Sequence, residues 1–248
     1  MQEYFVKGVP TGKNVIITDK DTIKHMFTVM RLQTDDQVIL VFEDGIKRLA
    51  KVVDPASQTF LIVEELSDHV ELPVEVTIAV GFPKGDKLDF ITQKATELGA
   101  SQIWAFPADW SVVRWDKKKL NKKVEKLTKI AQGAAQQSKR NRIPHVELFA
   151  DKQEFLAQLS QFDQIFLAYE ESAKAGEKSN LVKGLEQVAS GQKLLFIFGP
   201  EGGISPAEVE LLTDSGAQVV GFGPRIMRAE TAPLYALSAL SYALELNT

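Results

Sequence analysis

The sequence predicts an α/β protein in two parts: a small β-rich barrel, then a larger domain built on a mostly parallel sheet with helices on both faces. Three observations carry this. Short runs of branched residues separated by turn signals fill the first part of the chain. From Val74 onward, apolar strand-like runs alternate with segments of helical spacing. Between the two, Leu72-Pro73 marks the change of rhythm, so domains are expected over 1–70 and 74–248, with the boundary near 68–74.

In the first part, Gln37–Phe42, Ile46–Val53 and Thr59–Val63 read as strands. Glu43-Asp44-Gly45 and Asp54-Pro55-Ala56-Ser57 supply the turns between them. A short helix is expected near Asp21–Met30, capped by Asp19 or Asp21. The second part opens with a strand over Val74–Val80. Asp86–Leu98 has helical spacing (Leu88, Ile91, Ala95, Leu98) and stops at Gly99. Gln102–Phe106 is a strand, and Lys117–Ser138 a long helix with Leu120, Val124, Leu127, Ala131 and Ala134 on one face. A strand over Gln164–Ala168, a helix over Leu181–Val188 and an apolar strand over Lys193–Phe198 follow. Ser205-Pro206-Ala207-Glu208 opens a helix with a cap, a first-turn proline and a third-position glutamate. Ala217–Phe222 is the last strand and Ala229–Leu246 the last helix.

Bulk properties narrow the function. The 248 residues are 44% hydrophobic and 25% charged, an ordinary globular balance able to bury a sizeable core. With no cysteine, disulfides and thiolate metal sites are excluded. The start, Met1-Gln-Glu-Tyr-Phe5, lacks a signal-peptide pattern, and no apolar run approaches the roughly 18 residues a membrane helix needs, so a soluble cytoplasmic protein is expected. The net charge is −4, yet Arg114–Arg142 holds eleven Lys/Arg against Asp116 and Glu125. That local excess of +9 leaves −13 for the rest, a confined cationic footprint on an acidic chain.

Three segments could carry chemistry. Phe196-Ile-Phe-Gly-Pro-Glu-Gly-Gly203 ends an apolar strand in a glycine loop, where parallel sheets bind ligands and where glycine lets backbone amides come close. Gly221-Phe-Gly-Pro-Arg-Ile-Met-Arg-Ala-Glu-Thr-Ala232 repeats the pattern and adds Arg225, Arg228 and Glu230. Each loop alone reads equally as a plain turn, with Arg228 and Glu230 a surface pair and Thr231 a cap. Two such loops after successive strands favour a shared pocket. The third segment is the helix bearing Lys118, Lys122, Lys126 and Lys129, preceded by Trp110 and Trp115 and followed by Lys139-Arg140-Asn141-Arg142. It reads either as a solvated face or as a phosphate-binding surface. Gly81-Phe-Pro-Lys-Gly-Asp-Lys87 lacks the phosphate-loop spacing, no G-x-S-x-G occurs, and His25, His69 and His145 are isolated, which disfavours zinc or triad chemistry.

The two loops, read with Lys84-Gly-Asp-Lys-Leu88, Gln93-Lys-Ala-Thr-Glu-Leu-Gly99, Ser111-Val-Val-Arg114, Ala134-Ala-Gln-Gln-Ser138 and His25–Leu32, resemble the SPOUT class of knotted RNA methyltransferases. More closely, they resemble the ribosomal RNA small-subunit methyltransferase E family over essentially the whole length. One departure is Gly133, where the family pattern carries an acidic residue, so no carboxylate role transfers to that position. The resemblance implies a PUA-like RNA-binding barrel, a trefoil-knotted methyltransferase domain and a homodimer with active sites near the subunit interface. It also implies S-adenosylmethionine as cofactor, no metal, and N3-methyluridine in 16S ribosomal RNA as product.

Carried onto this sequence, the resemblance assigns the cofactor to Leu167, Ala168 and Glu170, and to Gly199, Pro200, Glu201, Gly202 and Gly203. It adds Phe222, Gly223, Ile226, Met227 and Arg228, with Thr231 and Ala232. His25, Arg31, Lys84, Arg114, Lys139, Arg140 and Arg142 are the RNA-binding expectation. Removing the N3 proton of uridine requires an acceptor and a cation for the developing anion. Arg228 is the candidate cation, with Arg225 second; Glu201 or Glu230 is the candidate acceptor. Two alternatives stay open: an RNA-binding protein without cofactor affinity, and a methyltransferase acting on a ribose 2′-oxygen or a transfer RNA.

Overall fold

The computed structural model describes residues 1–169 and 179–247, arranged as two compact units. One unit comprises Met1–Glu71 with Ala135–Ile143, the other Leu72–Ala134 with Pro144–Thr248.

The first unit is a five-stranded sheet in the order β1-β3-β4-β5-β2. Strand β1 (Glu3–Phe5) pairs in parallel with β3 (Gln37–Val41). Strands β4 (Lys47–Asp54), β5 (Thr59–Leu66) and β2 (Asn14–Ile16) continue antiparallel. Val38, Leu40, Ala50, Val52 and Phe60 alternate inward along these strands and close on Tyr4 and Met26. Helix α1 (Lys20–Ile23) begins where the Asp19 carboxylate accepts the Thr22 N–H at 2.8 Å, and it continues as a π-helical segment, Lys24–Val29. Strands β1 and β2 are missing from the sequence reading, since three residues are too short to show a period of two.

Segment 135–143 belongs to this unit because its polar groups complete the sheet's unpaired ones. Asn141 Nδ2 donates to Gly45 O at 2.9 Å, and buried Lys47 donates to Lys139 O at 2.7 Å. Arg140 is 2% exposed and forms a two-pronged pair with Glu71. Its proposed place among the RNA contacts is therefore corrected: the guanidinium is spent inside the unit.

The second unit holds a six-stranded sheet, parallel throughout, in the order β11-β9-β10-β6-β7-β8. Its strands are β6 (Glu75–Gly81), β7 (Gln102–Phe106), β8 (His145–Leu148), β9 (Gln164–Ala168), β10 (Lys193–Phe198) and β11 (Gln218–Val220). Strands β10 and β6, flanked on both sides, are almost wholly buried and read as continuous apolar runs. The helices are α2 (Lys87–Glu97), α3 (Lys117–Gln137), α4 (Lys152–Leu156), α5 (Ser179–Glu186), α6 (Pro206–Asp214) and α7 (Ala232–Ser241). Ser205 and Glu208 form the expected capping box at α6. The last helix starts three residues later than expected, because Arg228–Thr231 closes a turn first, with Thr231 N–H bonded to Arg228 O at 2.9 Å.

One consequence of the order matters most. Strands β10 and β11 follow one another in sequence but are not neighbours; β9 lies between them. The two glycine loops therefore flank the end of β9.

Candidate active site and cofactor pocket

At the carboxyl ends of β11, β9 and β10 lies a cavity of about 670 Å³. Ala168 and Tyr169 enter it from β9, Phe198–Ile204 from the loop after β10, and Phe222, Gly223 and Arg225–Ala229 from the loop after β11. Ala232 closes one side at the start of α7.

The glycines have specific reasons. A Cβ on Gly199 would lie 2.5 Å from the carbonyl carbon of Gly203, so the loop's two ends touch through backbone alone. Gly203 N–H closes the turn onto Pro200 O at 2.9 Å, with φ of +81° at Gly203. A Cβ on Gly81 would meet Pro200 Cδ at 2.5 Å, which seats the loop on the end of β6. Phe198, Ile204, Val220, Phe222, Ile226 and Met227 supply apolar wall. Apolar walls with exposed backbone amides suit a small organic ligand with polar ends.

Charge enters from α2. Lys87, at its first turn, lies 2.9 Å from Glu201 Oε1 and 3.3 Å from Glu230 Oε2. The Lys84 N–H also donates to Glu201 at 3.0 Å. Burial pushes the Glu201 carboxyl upward, but the bond from Lys87, the N–H donors and the Lys87 charge outweigh it and hold it below its ordinary value. The bond to Glu201, and after it that to Glu230, outweigh burial, raise Lys87 and keep it a cation. Arg228 lies 4.0 Å from Glu230, and its side chain is 83% exposed.

Most of the expected cofactor residues meet here: Ala168, the whole Gly199–Gly203 loop, Phe222, Gly223, Ile226, Met227, Arg228 and Ala232 line the cavity. Leu167 does not; its side chain is 0% exposed in the core beneath. Thr231 is exposed and Glu230 partly buried, both outside the lining. Glu170 lies outside the described residues. Lys87 and Trp110 line the cavity without having been singled out for it. Sheet order brings Lys87 there: β6 neighbours β10, so a helix opening just after β6 begins beside the β10 loop, an adjacency that no local sequence pattern records.

Among the RNA expectations, Lys84 and Arg114 are exposed in this unit. In the other, Arg31, Lys139 and Arg142 are exposed; His25 is exposed too, with Nδ1 3.0 Å from Tyr4 OH. Among the described residues, no group of three or more carboxylates or histidines could hold a metal, and no helix is long and apolar enough to cross a membrane.

A parallel sheet with a glycine-walled pocket at its strand ends, joined to a small β-sheet unit, defines a class that the sequence comparisons name. The model of the RNA methyltransferase domain family matches residues 70–241, and that of the RNA methyltransferase PUA domain matches 17–65. The Bacillus subtilis (strain 168) ribosomal RNA small subunit methyltransferase E is 44% identical over 99% of this chain and 98% of its own length. The Mycobacterium bovis protein of the same name is 30% identical over 96% and 90%. Among solved structures, the crystal structure of a hypothetical protein superposes with a TM-score of 0.90 at 40% identity over the full length of both chains. The Neisseria gonorrhoeae ribosomal RNA small subunit methyltransferase E bound to S-adenosyl methionine gives 0.80 at 25% identity, over 97% of each. The chain belongs to the ribosomal RNA small subunit methyltransferase E family of RNA methyltransferases.

Proposed function

We propose that this chain transfers a methyl group from S-adenosylmethionine to N3 of one uridine in 16S ribosomal RNA of the small subunit, acting as a cytoplasmic homodimer. The observation that carries the proposal is the cavity itself: two glycine loops and the end of β9 enclose it in a chain similar over its full length to named small-subunit methyltransferases. The pocket fits the cofactor on its own chemistry. Side chains at Gly199 or Gly202 would crowd the loop against Gly203 or Trp110, so the wall facing the ligand is kept to bare backbone.

When bound, the cofactor supplies an electrophilic methyl group on a sulfonium. The protein's residues supply the rest. The Gly199–Gly203 and Phe222–Arg228 segments hold the cofactor, with Ile226 and Met227 against its adenine. Arg228, which is extended into solvent, meets the negative charge that develops on the base oxygens or the adjacent phosphate. Glu201 already receives two donors and is a weak base. Glu230 sits farther from its cations, at 3.3 and 4.0 Å, and is the better acceptor for the N3 proton. The base leaves its stack to reach the pocket. Lys139 and Arg142, with the exposed His25 and Arg31, form the RNA-facing set of the first unit, and Lys84 and Arg114 that of the second.

Calorimetry with S-adenosylmethionine tests the cofactor half directly: saturable binding is expected, and absence of binding leaves only an RNA-binding protein. Nucleoside analysis of the product tests the rest. It should yield N3-methyluridine, whereas a 2′-O-methyl nucleoside would move the acceptor to the ribose.

A further inference from the structure

One wall of the cavity comes from the loop after β7, through Trp110. Trp104 is 2% exposed in the core, and Trp115 packs on Phe82 at 4.4 Å and under Lys123 at 4.2 Å. Trp110 is different: it is 48% exposed, and among the described residues no aromatic ring or cation covers its indole. An indole left half in water at a pocket mouth gives up burial that the fold could have used.

Its mounting is rigid. Asp109 is tied on both sides: its N–H donates to buried Glu208 at 2.9 Å, and its carboxylate accepts from Ser205 Oγ at 2.6 Å and from Lys152. Ser111 N–H bonds Ala108 O at 3.0 Å. The indole stands over the glycine loop, with its Cβ 3.0 Å from where a Gly202 Cβ would be and its ring edge 3.9 Å from that of Gly203. Beyond it the loop continues through exposed Val112 and Arg114 into the lysines that open α3, the cationic tract of the chain.

We infer that Trp110 is the stacking platform for the acceptor base. The inference rests on the RNA methyltransferase reading and adds the side chain that receives the flipped nucleotide. Val220, Phe222, Ile226 and Met227 give the cavity an apolar wall at the β11 side, which is where the proposed function seats the cofactor's adenine. Trp110 comes from β7, three places along the sheet from β9, on the loop that runs into positive charge. A fixed aromatic face beside phosphate-neutralising residues is how single-stranded bases are held, and each such stack changes affinity about 5- to 150-fold on truncation.

Two measurements test it. Trp110→Ala should raise KM for unmethylated small subunits by about 5- to 150-fold, well beyond any loss of S-adenosylmethionine affinity; Trp110→Phe should restore most of the loss. An equal loss of cofactor affinity, or an unchanged KM, overturns the inference. Independently of turnover, an RNA oligonucleotide carrying 5-iodouridine, irradiated with the full-length protein, should cross-link at Trp110. A cross-link mapped only elsewhere rejects Trp110 as the platform. Failure of the wild type to methylate any subunit instead rejects the proposed activity.

Discussion

Arg228 and Glu230 sit two residues apart, yet their surroundings differ, and the roles proposed for them follow that difference. Among the described residues the arginine's side chain is held by a 4.0 Å approach to Glu230, and its exposure leaves it open to an anion brought by the substrate. Arg228→Ala should abolish turnover and leave cofactor affinity within a few-fold, as read by single-turnover kinetics beside calorimetry. Loss of cofactor binding would make it a binding residue instead. Glu201 carries a pH consequence. Its carboxyl is lowered in the folded state from an ordinary 4.5, so its pairing contributes stability above that value and loses it as pH falls through the lowered one. Between pH 5 and 8 it stays ionised. Glu201→Gln should therefore keep the shape of the pH–rate profile in that range, whereas Glu230→Gln should sharply lower turnover at every pH in it. A sharp loss on Glu201→Gln with Glu230→Gln near wild type would reverse the two assignments.

At the scale of elements, the strands that matter were legible. Gln102–Phe106, Gln164–Ala168 and Lys193–Phe198 are found with the bounds the sequence suggests, because buried parallel strands are unbroken apolar runs between turn signals. Strand β8 and helix α4 escaped, being short and periodic over at most a turn or two pleats. Both glycine loops were legible as walls of one shared pocket, but Lys87 and Trp110 were not, since sheet order decides which distant loops share a pocket and no local pattern records it. A knot is further still from local pattern: it depends on which side of a loop the chain passes, so it entered through resemblance alone. The capping box at α6 offers an element-scale test. Ser205 accepts from Glu208 N–H at 3.1 Å and donates to Asp109 at 2.6 Å. Ser205→Ala should cost about 1–2 kcal/mol in chemical denaturation and raise KM for RNA by loosening the loop that carries Trp110. Unchanged stability would show that the cap is redundant.

Over the whole molecule, an acidic chain concentrates its net positive excess in one tract, and the structure sorts that tract into buried and exposed parts. Arg140 and Glu71, both nearly inaccessible, form the buried part. Arg140→Ala leaves Glu71 without its principal partner and should destabilise the protein by roughly 3–5 kcal/mol, seen as a lowered denaturation midpoint. Lys139→Ala and Arg142→Ala should leave that midpoint almost unmoved and each reduce the salt dependence of RNA affinity by about one unit of slope. The opposite pattern would return Arg140 to the RNA surface. All of these effects serve one reaction, and one measurement addresses it most directly: the protein incubated with methyl-labelled S-adenosylmethionine and small ribosomal subunits lacking the modification, with the label mapped in the RNA. Label confined to N3 of a single uridine of 16S ribosomal RNA is the expected result. No transfer to subunits or to naked RNA, or transfer to any other atom, would contradict it.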